Sequence, residues 1–217
     1  MIKMQSPFRC AVLAASAMLT AMGFAGPCRA DRTVLAPTGE TLAPESVRTE
    51  FAIDPQRKFQ NYIWLQYSTP QGIEMEAERL DLTGQRKKGY AFNLQYPLTV
   101  ALSSAIPSVS IGVRDLTGTG NEHGAFYLVA SKSVPLSDRQ IRLVKDLKLD
   151  LGAGTGRIGG LFVGAEMNLA LGLRVRAEFY KRRPNVTLSV ALTRNLDARA
   201  YSLDNHLFYG LSFSLLR

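Results

Sequence analysis

Apolar and polar residues alternate with a period of two along most of the chain beyond about residue 46. In LGLRVRAEFYK, Leu173, Val175, Ala177 and Phe179 fall on one side, and Arg174, Arg176 and Glu178 fall on the other. Successive side chains of a β-strand point to opposite faces, so such a segment has one apolar and one polar face. Helical periodicity is nearly absent from this part of the chain. The pattern therefore predicts an all-β protein.

About twelve segments show this alternation. They are roughly 47–54, 60–67, 72–82, 88–97, 108–116, 124–132, 141–153, 159–168, 172–180, 185–193, 196–203 and 207–216. Many have about 8–11 residues, close to the length that a tilted strand needs to cross a bilayer. A soluble β-sandwich also alternates. The strand lengths, the up-and-down order and the charges of both signs on the polar face favour an antiparallel, up-and-down transmembrane β-barrel of about twelve strands.

The N-terminus has the pattern of a secretory signal peptide. Lys3 and Arg9 precede an apolar run, which ends in the small-x-small sequence Cys28-Arg29-Ala30. We expect a cleaved signal peptide over residues 1–30, a flexible periplasmic lead-in over residues 31–45 and an outer-membrane β-barrel over residues 46–217. This organisation predicts a protein exported to the outer membrane of a Gram-negative-type cell.

Cleavage after Ala30 changes the charge and the cysteine count. Three of the 26 basic residues and none of the 18 acidic residues lie in the leader, which leaves 23 − 18 = +5. Both cysteines also lie there, so the mature chain is expected to form no disulfide. A moderate positive charge fits acidic partners such as anionic lipid or an acidic polysaccharide, and it fits an ordinary solvated surface as well.

The polar strand faces supply the candidate residues for a charged lumen. These candidates are Glu74, Glu76, Glu78, Arg114, Asp115, Lys148, Asp150, Arg174, Arg176 and Glu178. Carboxylates at positions i and i+2 share one strand face, which raises the alternative of a glycosidase with two acids. Arginines on other strands are natural partners for this row, so salt-bridged lining is the favoured interpretation.

Candidate catalytic and metal-binding chemistry is sparse. No His, Asp and Glu cluster has the spacing of metal ligands, and neither His123 nor His206 has a spacing that selects a nucleophilic serine. We therefore expect no enzyme activity, no metal and no cofactor. The glycine-rich stretches 110–120 and 151–160 resemble phosphate-binding loops, but each is followed by a strand pattern instead of the required helix. They predict turns, with Asp115 as a turn-capping residue, and no nucleic acid is expected as a partner.

The segment ends and connections indicate contacts with the membrane. Several aromatic residues near segment ends are candidates for interfacial girdles: Trp64, Tyr67, Tyr90, Tyr96, Phe179, Tyr180 and Tyr209. If both ends of the barrel face the periplasm, the outward connections carry basic clusters at 57–58, 86–88 and 181–183. Such a rim suits anionic lipopolysaccharide or an acidic glycan, and ordinary charged turns explain it equally well.

The stretch IPSVSIGVRDLTGTG followed by AFYLVASK resembles the core of the YjbH-like family. The matching residues are Pro107, Gly112, Arg114, Asp115, Gly118, Thr119, Gly120, Tyr127, Leu128, Val129, Ala130, Ser131 and Lys132. The resemblance implies an outer-membrane barrel linked to exopolysaccharide production, which acts in secretion or surface handling of a polysaccharide. It implies no catalytic residues.

Three functions follow as alternatives. The first is a monomeric barrel that helps an exopolysaccharide to pass through a charged lumen or to organise at the surface. Its expected partners are outer-membrane lipid, lipopolysaccharide, an acidic exopolysaccharide and other secretion components. The second is a structural or adhesive barrel with a plugged lumen and no transport. The third is a lipid-modifying outer-membrane enzyme.

Overall fold

The computed structural model describes residues 32, 34–56, 61–80, 89–100, 106–120, 122–134, 144–203 and 206–215. Within these ranges twelve β-strands are present. They are β1 (Val47–Ile53), β2 (Asn61–Ser68), β3 (Glu74–Leu80), β4 (Ala91–Thr99), β5 (Ser108–Arg114), β6 (Ala125–Val134), β7 (Val144–Gly154), β8 (Gly160–Leu169), β9 (Leu173–Tyr180), β10 (Arg183–Ala191), β11 (Leu196–Leu203) and β12 (His206–Leu215). Short 3₁₀ turns at Gly156–Ile158 and Ala170–Gly172 join β7 to β8 and β8 to β9. No helix in the described ranges has the length and apolar character needed to cross a membrane.

The strands form one closed antiparallel barrel. Each strand pairs with its sequence neighbours, and β1 pairs with β12, from Val47 opposite Leu215 to Ile53 opposite Tyr209. Closure leaves no strand edge with unpaired backbone groups, which is the condition for a sheet in lipid. The predicted up-and-down barrel is confirmed, and the predicted strand ends lie within about three residues of the observed ones.

The two faces of the wall have opposite chemistry. Outward side chains are large and apolar, such as Phe51, Leu128 and Leu161, the last of which is 75% exposed. Inward positions carry buried polar groups such as Gln66 and Arg176, both 1% exposed. A soluble protein has the reverse distribution. The alternation therefore places apolar residues toward lipid and polar residues toward the barrel interior.

Residues 34–43, which we call the plug segment, run through the barrel interior, and Ala43 at their C-terminal end is exposed. Val34, Ala36, Thr38 and Leu42 are buried, and they contact inward-facing wall residues. The composition of residues 31–45 predicts a flexible periplasmic lead-in, whereas most of residues 34–42 are buried inside the barrel and residues 43–45 are exposed. The physical reason is that wall side chains satisfy the backbone groups of the plug segment, as the contacts below show. The predicted signal peptide and the basic clusters at 57–58 and 86–88 lie outside the described residues.

The plug segment follows the barrel from one rim toward the other. Odd-numbered strands of an up-and-down barrel run in the same direction, so their first residues lie near one rim and their last residues near the other. The Leu42 N–H donates to Glu74, the first residue of β3. The Val34 N–H donates to Glu178, near the end of β9. The plug segment thus crosses the interior from the rim where β9 ends to the rim where β3 begins.

Candidate functional site

Arg114 is the centre of a buried ion-pair network on the inner wall. Its Nη1 lies 2.9 Å from Glu76 Oε1 and its Nη2 lies 2.9 Å from Glu78 Oε1, both on β3. Its Nε lies 2.9 Å from Glu122 Oε2, in the connection between β5 and β6. Arg114 is only 3% exposed, so three carboxylates share one enclosed guanidinium. The row on β3 and Arg114 therefore meet, although they lie far apart in the sequence.

Arg174 and Arg176 form a separate cluster between β8 and β9. Arg176 Nε lies 2.6 Å from Glu166 Oε2, and Arg174 Nε lies 3.7 Å from Glu166 Oε1. Arg174 Nε also donates to Asn168 Oδ1 at 2.7 Å. The two arginines therefore share Glu166 on the neighbouring strand β8. Glu166 is not among the candidates chosen from the sequence. Its position on the polar face of the eighth predicted segment would have indicated that it faces the interior.

Lys148 and Asp150, on the inner face of β7, contact the plug segment directly or through one residue. Lys148 Nζ lies 3.3 Å from Glu40 Oε2. Asp150 accepts a hydrogen bond from Ser131 Oγ, and Ser131 Oγ accepts one from the Gly39 N–H at 2.6 Å. These two candidates therefore position the plug segment in the present structure.

Glu178 binds the N-terminal part of the plug segment. Its carboxylate accepts the backbone N–H groups of Val34, Leu35 and Ala36 at 2.9, 3.0 and 2.8 Å. Asn185 Nδ2 donates to the same carboxylate at 2.8 Å. A charged acceptor makes stronger hydrogen bonds than a neutral one. Glu178 therefore acts as a clamp on three consecutive residues that otherwise lack a strand or helix partner.

Gly39 marks the closest approach of the plug segment to the wall. A Cβ atom at this position would lie 2.5 Å from the Ser108 carbonyl oxygen and 2.6 Å from the Ser131 backbone nitrogen. Ser110 Oγ donates to the Gly39 carbonyl at 2.8 Å. Because both obstructing atoms belong to the backbone of paired strands, the wall cannot yield. Only glycine allows this crossing.

Arg32, just before the plug segment, lies against the aromatic inner face of β2. Its guanidinium carbon is 4.2 Å from the Trp64 ring centroid and 4.9 Å from that of Tyr62. Its Nη1 lies 2.9 Å from Glu78 Oε2 and 3.7 Å from Glu76 Oε1. The cation is thus enclosed by two π faces and two carboxylates, an arrangement that favours a positive charge.

Two aromatic residues expected at the membrane interface lie inside the barrel. Trp64 is 0% exposed and Tyr180 is also buried. Trp64 shares the inward face of β2 with Tyr62 and Gln66. Proximity to a strand end suggested the girdle, but the position of each ring in the alternation decides its face. Both rings belong to apolar clusters that pack against the plug segment.

The plug segment lies close against the inner wall beside the Arg114 network. A cavity of about 10 Å³ remains between Arg32 and Thr38 on one side and Glu76, Gln95 and Arg114 on the other. This volume has room for about one water molecule. The cavity therefore has no room for a molecule much larger than water.

Asp115 organises the turn after β5. Its carboxylate accepts N–H groups from Gly120, Glu122 and His123 at 3.0, 3.1 and 2.7 Å, and the Thr117 hydroxyl at 3.1 Å. Burial alone would raise the pKa of Asp115, but these hydrogen bonds lower it below its ordinary value. The turn-capping role predicted from the sequence is therefore visible, and the carboxylate is directed at its own loop.

This turn places Glu122 beside Arg114, an assignment that the sequence patterns missed. Burial opposes the charged form of Glu122, but Arg114 and Lys181 outweigh it and lower its pKa to about 2. Tyr180 Oη also donates to Glu122 at 2.8 Å. Glu122 lies in a glycine-rich connection without periodicity, so no strand-face argument could identify it.

We predict that Asp115→Asn weakens the barrel in a pH-dependent way. Asparagine tolerates the left-handed backbone at this position, where φ is 56°, so the substitution removes mainly the charge and one acceptor oxygen. We expect a loss of about 1–3 kcal/mol in the free energy of unfolding at pH 7. A carboxyl whose pKa is lowered by folding stabilises above its ordinary pKa and loses that contribution as the pH falls through the lowered value.

Urea unfolding of the refolded protein at pH 7 and at pH 3 measures this difference. The gap between wild type and variant should shrink at pH 3. A gap of the same size at both pH values would contradict the assigned role of the charge.

Among the described residues, no group of three or more His, Cys, Asp or Glu side chains has an arrangement suited to a metal ion. The interior carboxylates are instead engaged by arginine, lysine and backbone N–H groups. The described arrangement is therefore one of ion pairs and hydrogen bonds between the wall and the plug segment.

Comparison with known proteins agrees with this geometry. A solved structure of the KdgM porin matches with a TM-score of 0.50 and 12% sequence identity, over 79% of this chain and 99% of that chain. This likeness shows the fold. A search of curated proteins gave no match. The model of the YjbH family, described as exopolysaccharide biosynthesis protein YbjH, matches residues 47–190, from the first residue of β1 into β10. Because that match covers well over half of the sequence, the chain belongs to the YjbH family of exopolysaccharide biosynthesis proteins.

Proposed function

We propose that this protein is an outer-membrane barrel that takes part in the secretion or surface handling of an exopolysaccharide, through a polar interior that the plug segment closes. Family membership supports the link to exopolysaccharide. The KdgM likeness supports a passage, since that protein is named a porin. The same likeness favours a channel over the lipid-modifying enzyme.

One observation carries this proposal: the inner wall binds an extended chain, the plug segment, through polar side chains. Gln95 Nε2 donates to the Thr38 carbonyl at 2.8 Å, and Tyr127 Oη donates to Gln95 Oε1 at 2.7 Å, which fixes the Gln95 side chain. Glu178 accepts backbone N–H groups, and Ser110 donates to a carbonyl. Saccharide hydroxyls both donate and accept hydrogen bonds, so they suit the same wall groups. The inner wall is therefore suited to bind an extended polar chain along its length.

The second candidate is a structural or adhesive barrel without transport. The enclosed plug segment and the cavity of about 10 Å³ beside it favour this alternative. The two candidates differ in one respect: a conduit requires that the plug segment leave the interior, whereas a structural barrel requires that it stay. Polysaccharide output from cells separates them.

A deletion strain tests the proposed function. We expect the deletion to lower secreted and surface polysaccharide, and the wild-type chain, recovered in the outer-membrane fraction, to restore it. The double variant Thr187→Val and Ser189→Ala should restore less, because it removes two hydroxyls that are buried on the inner wall. The matched control is Leu188→Val, on the outward face of the same strand β10. Unchanged polysaccharide in the deletion strain would overturn the proposal.

A further inference from the structure

We propose that the inner face of β2 is a binding site for an amino-sugar unit of a polysaccharide, and that Arg32 occupies this site while the barrel is closed. The inference rests on the proposed function and names the chemical class of saccharide. It places the site at Trp64, with Tyr62 and Gln66 on either side along the strand. Glu76 and Glu78 on the neighbouring strand β3 supply its negative charge.

The shape of the site follows from what Arg32 contacts. The guanidinium lies over the Trp64 and Tyr62 rings at 4.2 and 4.9 Å from their centroids. Its Nη1 is 2.9 Å from Glu78 and 3.7 Å from Glu76. An aromatic face binds the C–H face of a sugar as well as a cation. An ammonium group on that sugar would replace the guanidinium between the two carboxylates.

Unpaired polar atoms on β2 give an independent indication of a ligand. Among the described residues, Tyr62 Oη, Trp64 Nε1 and Gln66 Oε1 are buried and have no hydrogen-bond partner. Buried polar groups in folded proteins are normally bonded, and each one left unpaired is costly. The three residues are every second residue of β2 and share one face, so neighbouring ones lie about 6.6 Å apart. A saccharide chain lying along β2 would present hydroxyls to them in turn.

Charge selects the class of saccharide. Arg32 is replaced most readily by another cation, because Glu76 and Glu78 remain when it leaves. An acidic sugar would bring a third carboxylate between them. The described strands also carry slightly more buried carboxylates than buried cations: Glu50, Glu74, Glu76, Asp150, Glu166 and Glu178 against Arg48, Arg114, Lys148, Arg176 and Arg199. The positive net charge of the chain is thus not concentrated on the inner wall, and an amino sugar suits it better than the acidic polysaccharide expected from composition.

Trp64 provides the readout, because it is the only tryptophan in the sequence. The experiment titrates purified, refolded protein with three tetrasaccharides: glucosamine tetramer, its N-acetylated form and galacturonate tetramer. Trp64 fluorescence follows binding to the wild type and to Arg32→Ala. Arg32→Ala should bind glucosamine tetramer about tenfold more tightly than the wild type, since the occupying side chain no longer competes. The other two probes should bind more weakly than glucosamine tetramer.

Three further variants serve as controls for the effect of Arg32→Ala. Arg32→Lys keeps a cation in the site and should stay close to the wild type. Arg48→Ala removes another cation, 5.5 Å from the Trp64 ring, and should give no gain in affinity. Glu78→Gln added to Arg32→Ala should weaken glucosamine binding. Heat-modifiable mobility on a gel confirms that each barrel is folded.

Two results would overturn the inference. One is equal or tighter binding of galacturonate by folded Arg32→Ala. The other is a Trp64 that becomes accessible to acrylamide in that variant while no tetrasaccharide binds, which would mean that the orphan groups are satisfied by water alone. Both are measured on purified protein. Failure here with a polysaccharide defect in the deletion strain leaves the proposed function standing, and binding without such a defect removes only the proposed function.

Discussion

Replacing Arg114 by alanine is expected to lower the free energy of unfolding by about 3–5 kcal/mol. The guanidinium is buried, and it bonds Glu76, Glu78 and Glu122 at 2.9 Å each. Its removal leaves three enclosed carboxylates with two cations, Arg32 beside Glu76 and Glu78 and Lys181 beside Glu122. Urea unfolding followed by Trp64 fluorescence measures the loss.

Two controls separate the network from a general effect of losing a cation. Arg174→Ala removes a guanidinium that is 29% exposed and should cost no more than about 1 kcal/mol. Arg114→Lys keeps the charge but cannot donate to three carboxylates with the same planar geometry, so it should fall between alanine and the wild type. Equal losses for Arg114→Ala and Arg174→Ala would contradict the network described here.

Gly39→Val is expected to displace the plug segment from the barrel interior. The new Cβ would lie within 2.6 Å of backbone atoms in both β5 and β6, and paired strands cannot move apart at one residue. The segment must therefore lift from the wall, which draws Arg32 away from Trp64. The expected result is a several-fold increase in the acrylamide quenching of Trp64 in a folded barrel.

Ala43→Val is the matched control for this displacement. Ala43 belongs to the same segment but is exposed, so the larger side chain meets no wall and quenching should stay at the wild-type level. Glu178→Ala releases the other end of the segment by removing the acceptor of three backbone N–H groups, and it should also raise quenching. A folded Gly39→Val barrel with a protected Trp64 would show that the segment stays bound.

The strands of the barrel wall were predictable from the sequence because they follow from the alternation of apolar and polar residues within each segment. A strand in this wall has lipid on one face and the interior on the other. An odd or even position along the strand is therefore enough to predict which face a side chain occupies. Glu74 and Glu76 face inward for this reason, as does Arg114. The same rule would have placed Trp64 inside, had parity been preferred to the rule that aromatic residues collect near strand ends.

The plug segment was not predictable, because its partners are distant in sequence and it has no period of its own. The Val34 N–H donates to a carboxylate 144 residues away. No local pattern in residues 31–45 signals that the segment is enclosed, since burial there depends on the closed wall. The position of Glu122 beside Arg114 likewise depends on a loop that Asp115 organises through backbone N–H groups.

Single-channel recording in planar bilayers tests most directly the central claim that the plug segment closes a polar conduit. The wild type and Ala43→Val should remain closed. Gly39→Val should conduct, with some preference for cations, because buried carboxylates outnumber buried cations on the described strands. The account would be contradicted by an open wild type, or by a closed Gly39→Val barrel whose Trp64 has become accessible to acrylamide.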